Sequence, residues 1–263
     1  PVPGYDDLRD AIVNKFKRDN GLTYNRSQIV VLTGAKQSIA NVVLSLINPG
    51  DEVVIPAPYW VSYVEIVKLA EGIPVIVEAG IESDFKITGD ILRSAITEKT
   101  KLMIFSTPCN PTGSVYSKEE LRDIANVLVE KPNVVAISDE IYEHINFVGK
   151  HESLAQFEDV FNQVVTINGV SKAWAMTGWR IGYIGAPQYI ADACTKMQGQ
   201  FTSGTNSIAQ RATIAAVNAD VKVLEEMIAA FKDRRDLVLG LLNEIEGVIT
   251  NVPEGAFYVF PDI

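Results

Sequence analysis

The sequence predicts an α/β fold, with a mostly parallel seven-stranded sheet, helices on both of its faces and the start of a smaller α+β domain. Short runs rich in β-branched residues alternate along the chain with segments whose apolar residues recur at helical spacing. The runs are apolar throughout rather than at every second position, which is typical of strands buried on both faces of a parallel sheet. The predicted strands, in chain order, are QIVVL (28–32), EVVIP (52–56), IPVIVE (73–78), KLMIFS (101–106), NVVAIS (133–138), VVTIN (164–168) and RIGYIGA (180–186).

Helical segments separate these strands or follow them. One of them opens on a capping box, in which Ser117 and Glu120 can satisfy each other's backbone amides. The last mixes charged with apolar residues, so we expect it to leave the sheet. This divides the chain into a large domain, 1–218, and an interdomain helix with the beginning of a small domain, 219–263. The segments run from Gly34 to the Pro49-Gly50 turn, from about 60 to 70, over 90–96, over 118–130 and from about 220 to 245.

Composition narrows the functional classes. The 263 residues carry a formal charge of −10, whereas binding to nucleic acid or anionic lipid needs clustered Lys and Arg. Two cysteines in a chain of this length are not a disulfide framework. No apolar run is long enough to cross a membrane, and the first residues lack the apolar segment of a signal peptide. We therefore expect a cytoplasmic protein that binds neither nucleic acid nor membrane.

Polar side chains follow several of the predicted strands, at the point where each strand ends. In open α/β sheets, ligands bind outside the carboxyl ends of the strands, so these side chains predict one shared site. They are Gly34 to Lys36, Asn110, Asp139, and Ser171 with Lys172.

Lys172 comes directly after a buried strand and lies in an apolar stretch between Val170 and Trp174. Desolvation lowers the pKa of a lysine, and the neutral amine is a nucleophile that forms a Schiff base with a carbonyl group. The alternative is a lysine whose stem lies on apolar surface while its ammonium stays in water.

An anion site is predicted beside this lysine. Arg180 offers a planar guanidinium and Ser171 offers a hydroxyl. The helix that begins at Gly34, Ala35 and Lys36 offers free backbone N–H groups at the positive end of its dipole. An ion pair at the rim of a strand would equally explain Arg180, and a simple turn would explain Gly34.

Further side chains suit a heteroaromatic ligand. Asp139 ends a buried strand, where a carboxylate needs a partner such as a protonated ring nitrogen. Tyr142 and Asn110 can donate hydrogen bonds, and Trp60 can stack on a ring. The plainer alternatives are a salt bridge or helix cap for Asp139, an Asx turn for Asn110, and core packing for the two aromatic residues.

The sequence gives little support for other kinds of catalytic site. His144 and His151 have no Cys, Asp or Glu at the spacing of metal ligands, so no metal site is predicted. The chain has neither a Gly-x-Ser-x-Gly elbow nor a P-loop. A Schiff-base lysine, a phosphate cup, an acid facing a ring nitrogen and a stacking aromatic residue are together what pyridoxal 5'-phosphate requires.

The order and spacing of the motifs resemble those of the fold-type I aminotransferases, most closely the bacterial-type aspartate aminotransferases. The resemblance covers essentially the whole chain. It implies a homodimer with shared active sites, and an N-terminal arm and C-terminal small domain that would lie outside this chain. We therefore expect a chain truncated at both ends, which by itself would lack the family's arginine for the substrate α-carboxylate. The motifs are PGYDDLRDAI, GAKQSIAN, PGDEVVIPAPYWVSY, NPTG, SDEIYEHI, NGVSKAWAMTGWRIGY, NSIAQ and PEGAFYVFPD.

The resemblance also implies a role for each matched residue. Lys172 would hold pyridoxal 5'-phosphate as a Schiff base and move the proton, while Asp139 would keep the ring nitrogen protonated. Tyr142 and Asn110 would donate to the ring oxygen, and Asn110 would also touch the substrate. Trp60 would stack on the ring and line the substrate site. The phosphate cup would consist of Gly34, Ala35, Lys36, Ser171 and Arg180, and the Lys36 side chain would help to bind an acidic substrate.

The implied reaction is transamination from L-aspartate to 2-oxoglutarate, giving oxaloacetate and L-glutamate. Its partners would be a small amino acid and a 2-oxo acid. Two alternatives within the fold stay open: an aminotransferase for aromatic amino acids or alanine, and a pyridoxal-phosphate-dependent C–S lyase. A third is a ligand sensor fused to a DNA-binding module, to which the acidic charge of the chain gives no support.

Overall fold

The computed structural model describes residues 1–263 and contains one seven-stranded sheet. Its strands are β1 (Ile29–Leu32), β2 (Glu52–Ala57), β3 (Ile73–Glu78), β4 (Thr100–Ser106), β5 (Val135–Asp139), β6 (Val164–Gly169) and β7 (Gly182–Gly185). They lie in the order β1-β7-β6-β5-β4-β2-β3, and only β7 runs antiparallel to its neighbours. The prediction of a mostly parallel seven-stranded sheet is confirmed.

Helices cover both faces of this sheet. Buried residues of α1, α4, α5 and α7 join one hydrophobic core, and those of α2, α3 and α6 join a second core. Ile29 and Val31 of β1 point into the first core, whereas Val30 and Leu32 point into the second, as the alternation of side chains along a strand requires. None of the helices has the length and hydrophobicity that crossing a bilayer demands. The helices are α1 (Asp6–Lys15), α2 (Ala35–Leu46), α3 (Ser62–Leu69), α4 (Gly89–Ala95), α5 (Lys118–Glu130), α6 (Gln188–Phe201), α7 (Ser207–Asn218) and α8 (Glu225–Leu242).

Local sequence signals explain where several helices begin and end. The capping box of α5 is formed, with Ser117 Oγ accepting from Glu120 N at 3.2 Å and Ser117 N donating to Glu120 Oε2 at 2.7 Å. α2 ends before the predicted Pro49-Gly50 turn, because a proline disfavours the helical conformation of the residue ahead of it. Asn48 instead forms a turn, in which its N–H donates to Asp51 Oδ2 at 2.9 Å.

Three helices, α1, α6 and α7, were not predicted from the sequence. The buried face of α7 consists of Ala209, Gln210, Thr213 and Val217, so its apolar periodicity is weak. α1 likewise buries Lys15 beside its leucine and isoleucine. α1 packs against α7 and β1, and α6 packs against α2 and β1; a hydrophobic pattern within one segment does not report such contacts.

The edge strand β3 departs from the prediction that every strand is buried on both faces. Ile73 is 46% exposed and Ile76 is 40% exposed. β3 lies at one edge of the sheet and is partly uncovered, whereas β1, at the opposite edge, is buried along its whole length; an apolar run therefore does not by itself show how completely the helices cover a strand.

The segment after α8 returns to the carboxyl edge of the sheet. Phe147 N donates to Glu254 O at 2.8 Å, and the amides of Glu254 and Gly255 both donate to Gly113 O at 2.9 Å. These bonds bring Tyr258, from the far end of the chain, to the residues that follow β4 and β5.

Candidate active site

A cavity of about 290 Å³ lies at the carboxyl edge of the sheet. All the site residues predicted from the sequence line it except Gly34, which packs against the Arg180 guanidinium. Sheet register explains this convergence: Ser106 at the end of β4 pairs with Asp139 at the end of β5, which pairs with Ile167 of β6. The predicted residues in the lining are Ala35, Lys36, Trp60, Asn110, Asp139, Tyr142, Ser171, Lys172 and Arg180.

Lys172 is half-buried in the cavity wall. Its Nζ lies 5.4 Å from the centroid of the Tyr142 ring and 5.3 Å from that of the Phe257 ring. Burial lowers the pKa of Lys172, and the positive charge of Arg180 lowers it further, while Asp139 opposes both effects. A lowered pKa increases the fraction of neutral amine at neutral pH, which a nucleophilic lysine requires.

The anion cup is packed around Gly34, the residue ahead of α2. Gly34 has φ +82°, and a Cβ on it would lie 2.3 Å from Arg180 Nη2. Gly182 is under a similar constraint, since its Cβ would lie 2.4 Å from Ala35 N. The absence of both side chains lets the guanidinium and the first turn of α2 approach each other closely.

Arg180 forms no ion pair in the structure, and its Nη1 donates to Thr177 O at 2.8 Å. The sequence alternative of a strand-rim ion pair is therefore wrong. The amides of Ala35 and Lys36 belong to the first helical turn, where N–H groups have no partner within the helix. Together with the Ser171 hydroxyl, these donors have the charge and chemistry that a phosphate ester needs.

Asp139 is 4% exposed and forms neither a salt bridge nor a helix cap. Tyr63 Oη donates to its Oδ2 at 2.8 Å, and Ile141 N donates to its Oδ1 at 3.3 Å. Burial raises the pKa of Asp139 to about 6, although the hydrogen bonds from Tyr63 and Ile141 and the charge of Lys172 lower it. With a pKa of about 6 the carboxylate is mostly ionised at neutral pH, and it lies at the wall of the cavity.

Tyr142 and Asn110 meet at a residue that the sequence analysis did not assign. Tyr142 Oη lies 2.6 Å from Tyr258 Oη, and Asn110 Nδ2 donates to Tyr258 Oη at 3.3 Å. Tyr258 stands within the motif PEGAFYVFPD, but no strand-end pattern marks it. Tyr63 was missed for the same reason: it lies on α3 and not at the end of a strand.

Trp60 is half-buried and lines the cavity, rather than belonging only to the core. Lys36 Nζ lies 4.8 Å from the centroid of its ring, a cation–π contact. The ring of Tyr63 meets that of Trp60 edge-on, with centroids 5.5 Å apart and planes at 88°. One face of the cavity thus combines an aromatic ring with a positive charge.

A second group of polar residues lies outside this cavity. Potential metal-ligand atoms of Glu140, Glu143 and His151 lie within 4.8 Å of one another, which the spacing of the histidines in the sequence did not reveal. The Glu140 carboxylate already accepts hydrogen bonds from two serine hydroxyls and faces His151 Nε2 at 2.9 Å. Glu143 forms a buried ion pair with Lys15. The cluster therefore fits a network in which protein donors already serve the carboxylates.

Comparison with known proteins identifies relatives along the whole chain. The family described as aminotransferase class I and II matches residues 1–263. The chain is 47% identical over 267 residues to a bifunctional aspartate aminotransferase and glutamate/aspartate-prephenate aminotransferase of Petunia hybrida, a match that covers 100% of this chain and 56% of that protein. It is 48% identical over 264 residues to an aspartate/prephenate aminotransferase of Nitrosomonas europaea, covering 100% of this chain and 66% of that protein. The chain thus spans between about half and two thirds of the length of these curated relatives.

Solved structures share the fold. The aspartate aminotransferase of Rhizobium meliloti has a TM-score of 0.97 at 43% identity, over 99% of this chain and 66% of that chain. The aspartate aminotransferase of Thermus thermophilus with maleate has a TM-score of 0.95 at 40% identity, over 100% of this chain and 68% of that chain. An aromatic aminotransferase of Pyrococcus horikoshii has a TM-score of 0.96 at 39% identity, over 100% of this chain and 71% of that chain.

Proposed function

This chain belongs to the class I and II aminotransferases, and on that basis we propose that the protein transfers the amino group of L-aspartate to 2-oxoglutarate, giving oxaloacetate and L-glutamate. The observation that carries the proposal is the convergence of three groups in one cavity. A lysine with a lowered pKa, a buried carboxylate and an anion cup all line it. Relatives named as aspartate aminotransferases support the choice of amino donor.

The cofactor in this proposal is pyridoxal 5'-phosphate. When bound, it supplies an aldehyde that reacts with amines and a ring that withdraws electrons from the bound amine. The cup would hold the phosphate, and Asp139 would accept a hydrogen bond from the protonated ring nitrogen. Tyr142 and Asn110 would donate to the ring oxygen, and Trp60 would lie against the ring. The cup residues are Gly34, Ala35, Lys36, Ser171 and Arg180.

Lys172 would perform the proton transfer. Its Nζ would act as the base that takes the proton from the α-carbon of the amino acid, which requires a neutral amine. Burial and Arg180 both lower the pKa of Lys172, although Asp139 opposes them, so the site increases the fraction of that neutral form. Asp139, Tyr142 and Lys172 are therefore our proposed catalytic residues.

An acidic substrate is supported by the charge of the cavity wall. The Lys36 ammonium lies over Trp60, where it could meet a second carboxylate. The Thermus neighbour was solved with maleate, which is a dicarboxylate. The names of relatives that pair aspartate with prephenate support prephenate as a second amino acceptor.

Several features of the proposal derive from family membership rather than from the cavity. They are a homodimer with shared active sites, a cytoplasmic location and a division into a large cofactor-binding domain, 1–218, and a second domain from 219. The two free cysteines are compatible with a reducing compartment.

The proposal is tested by incubating the purified chain with pyridoxal 5'-phosphate, reducing it with borohydride and mapping the modified peptide by mass spectrometry. We expect a pyridoxyl group on Lys172 in the wild type and no modified cavity lysine in Lys172→Ala. Lys36→Ala is the matched control, since it removes another lysine from the same cavity and should leave the adduct on Lys172. Equal labelling in Lys172→Ala would contradict the assignment.

Substrate choice needs a separate measurement. Single-turnover rates with aspartate, phenylalanine and alanine should favour aspartate in the wild type. Lys36→Ala should reduce the rate with aspartate more than the rate with phenylalanine. If both rates fall equally, Lys36 does not select the acidic substrate.

A further inference from the structure

Tyr63 is a buried phenol that neither the sequence patterns nor the proposed function assigns to a role. It is 1% exposed, and its Oη donates to Asp139 Oδ2 at 2.8 Å. It is the only side chain that hydrogen-bonds to this carboxylate, whose other hydrogen bond comes from the backbone of Ile141. Tyr63 is therefore the one side chain whose hydrogen bond orients the Asp139 carboxylate.

The phenol is itself held in place by its helix and its neighbour. Tyr63 lies in the first turn of α3, and its N–H donates to Trp60 O at 3.0 Å. Its ring packs edge-on against the Trp60 ring, at a centroid distance of 5.5 Å. Full burial and this contact leave the Oη little freedom to move away from Asp139.

The surroundings of Asp139 shift its pKa in opposite directions. Burial and the neighbouring Glu140 raise its pKa, whereas Tyr63, Ile141 and Lys172 lower it. Two further titratable groups, Cys109 and Tyr142, are close enough to interact with it electrostatically. Burial raises the pKa of both groups, so they are uncharged at neutral pH. They therefore add no charge that could offset the loss of the Tyr63 hydrogen bond.

We propose that Tyr63 is a positioning residue that fixes the Asp139 carboxylate and keeps it in the ionised form needed to pair with a protonated ring nitrogen. The inference rests on the proposed function only for the identity of that ring nitrogen. The Tyr63–Asp139 hydrogen bond joins two side chains of the protein, so it can be tested without a cofactor. Removing the donor leaves one carboxylate oxygen buried without a partner, which favours its protonation.

The first test uses the cofactor-free chain. Tyr63→Phe keeps the ring and its packing while removing the hydroxyl. The titration midpoint of Asp139, followed by ¹³C NMR of its carboxyl carbon, should rise by about one pH unit or more in this variant, since a hydrogen bond to a charged group contributes about 1.5–3 kcal/mol. The matched control is Tyr24→Phe, which removes another buried tyrosine hydroxyl, 3.1 Å from Thr166 Oγ1. It should leave the Asp139 midpoint unchanged.

The second test uses the chain loaded with pyridoxal 5'-phosphate. Tyr63→Phe should lower kcat for aspartate at least tenfold while KM stays within about twofold, because the hydroxyl acts through Asp139. Tyr24→Phe should change neither value.

The outcomes separate the two proposals. An unchanged Asp139 midpoint in Tyr63→Phe overturns the positioning role, whatever the activity. If the Asp139 midpoint rises in Tyr63→Phe while the wild-type chain binds pyridoxal 5'-phosphate but transaminates no amino acid, the positioning role is supported and the proposed function is refuted. Equal losses of kcat in Tyr63→Phe and Tyr24→Phe would show a general packing effect and overturn the inference.

Discussion

Replacing Gly34 by alanine should disable the proposed phosphate cup while leaving the rest of the cavity intact. The new Cβ would lie 2.3 Å from Arg180 Nη2 and 3.0 Å from Arg180 Cζ, so the guanidinium has to move. The backbone at Gly34, with φ +82° and ψ 160°, lies in a region that essentially only glycine adopts. Gly34→Ala therefore combines a local clash with backbone strain.

The two effects have different sizes and different readouts. The strain should lower the free energy of unfolding by about 1–3 kcal/mol. Displacing the guanidinium removes charge-assisted hydrogen bonds to phosphate, each of which contributes about 1.5–3 kcal/mol. At 1.4 kcal/mol for each factor of ten, the Kd for pyridoxal 5'-phosphate should rise by about 10- to 100-fold.

The assay is an absorbance titration with pyridoxal 5'-phosphate and, in parallel, with pyridoxal, which lacks the phosphate. Only the phosphorylated compound should lose affinity. Gly50→Ala is the control, because Gly50 has φ +86° with nothing within 4 Å of the added Cβ. It should lower stability and leave both affinities unchanged.

A double variant separates the clash from the strain. In an Arg180→Ala background the clash is absent, so Gly34→Ala should weaken cofactor binding little further. Unchanged affinity for pyridoxal 5'-phosphate in Gly34→Ala, or an equal loss for pyridoxal, would refute the reasoning.

Two further predictions concern buried charges. Asp139→Asn should stabilise the cofactor-free chain, because ionised Asp139 destabilises the folded state. The pKa of Asp139 is about 6 in the folded chain and 3.8 ordinarily. Its ionisation therefore costs no folding stability below pH 3.8 and about 3 kcal/mol above pH 6. Urea unfolding should show a larger gain at pH 8 than at pH 5, and equal gains would contradict this. Lys15→Met should destabilise by about 3–5 kcal/mol at pH 7, because it leaves Glu143 buried without its cation. Burial would raise the pKa of Glu143, but Lys15 and two histidines hold it well below 4.5. The difference in stability between wild type and Lys15→Met should therefore narrow as the pH falls below 4.5 and Glu143 becomes protonated. An equal loss of stability in Lys17→Met, which changes an exposed lysine, would show that the Lys15–Glu143 pair is not the source of the effect.

The strands and the chemistry at their ends could be predicted from the sequence alone. A strand buried in a parallel sheet is apolar along its whole length, so each run is visible without knowledge of its neighbours. Parallel strands also end at one edge of the sheet, which is why Asn110, Asp139 and Lys172 could be assigned to one site from their positions after strands. The lining of the cavity by these residues agrees with that prediction.

Helix packing was harder to predict. α7 buries alanine, glutamine and threonine side chains, so its apolar pattern is weak. The helix is stabilised by contact with α1, a partner about 200 residues away along the chain. Such contacts become visible only once the sheet has brought the two segments together.

What the sequence by itself determined is the fold class and the residue types that meet at the carboxyl edge of the sheet, because both follow from short-range patterns. What only the tertiary structure decided is how those residues are held. Tyr63 reaches Asp139 across 76 positions of the chain, and Tyr258 reaches Tyr142 across 116. No local pattern encodes these bonds, since a hydrogen bond between distant side chains depends on the packing of the elements that carry them.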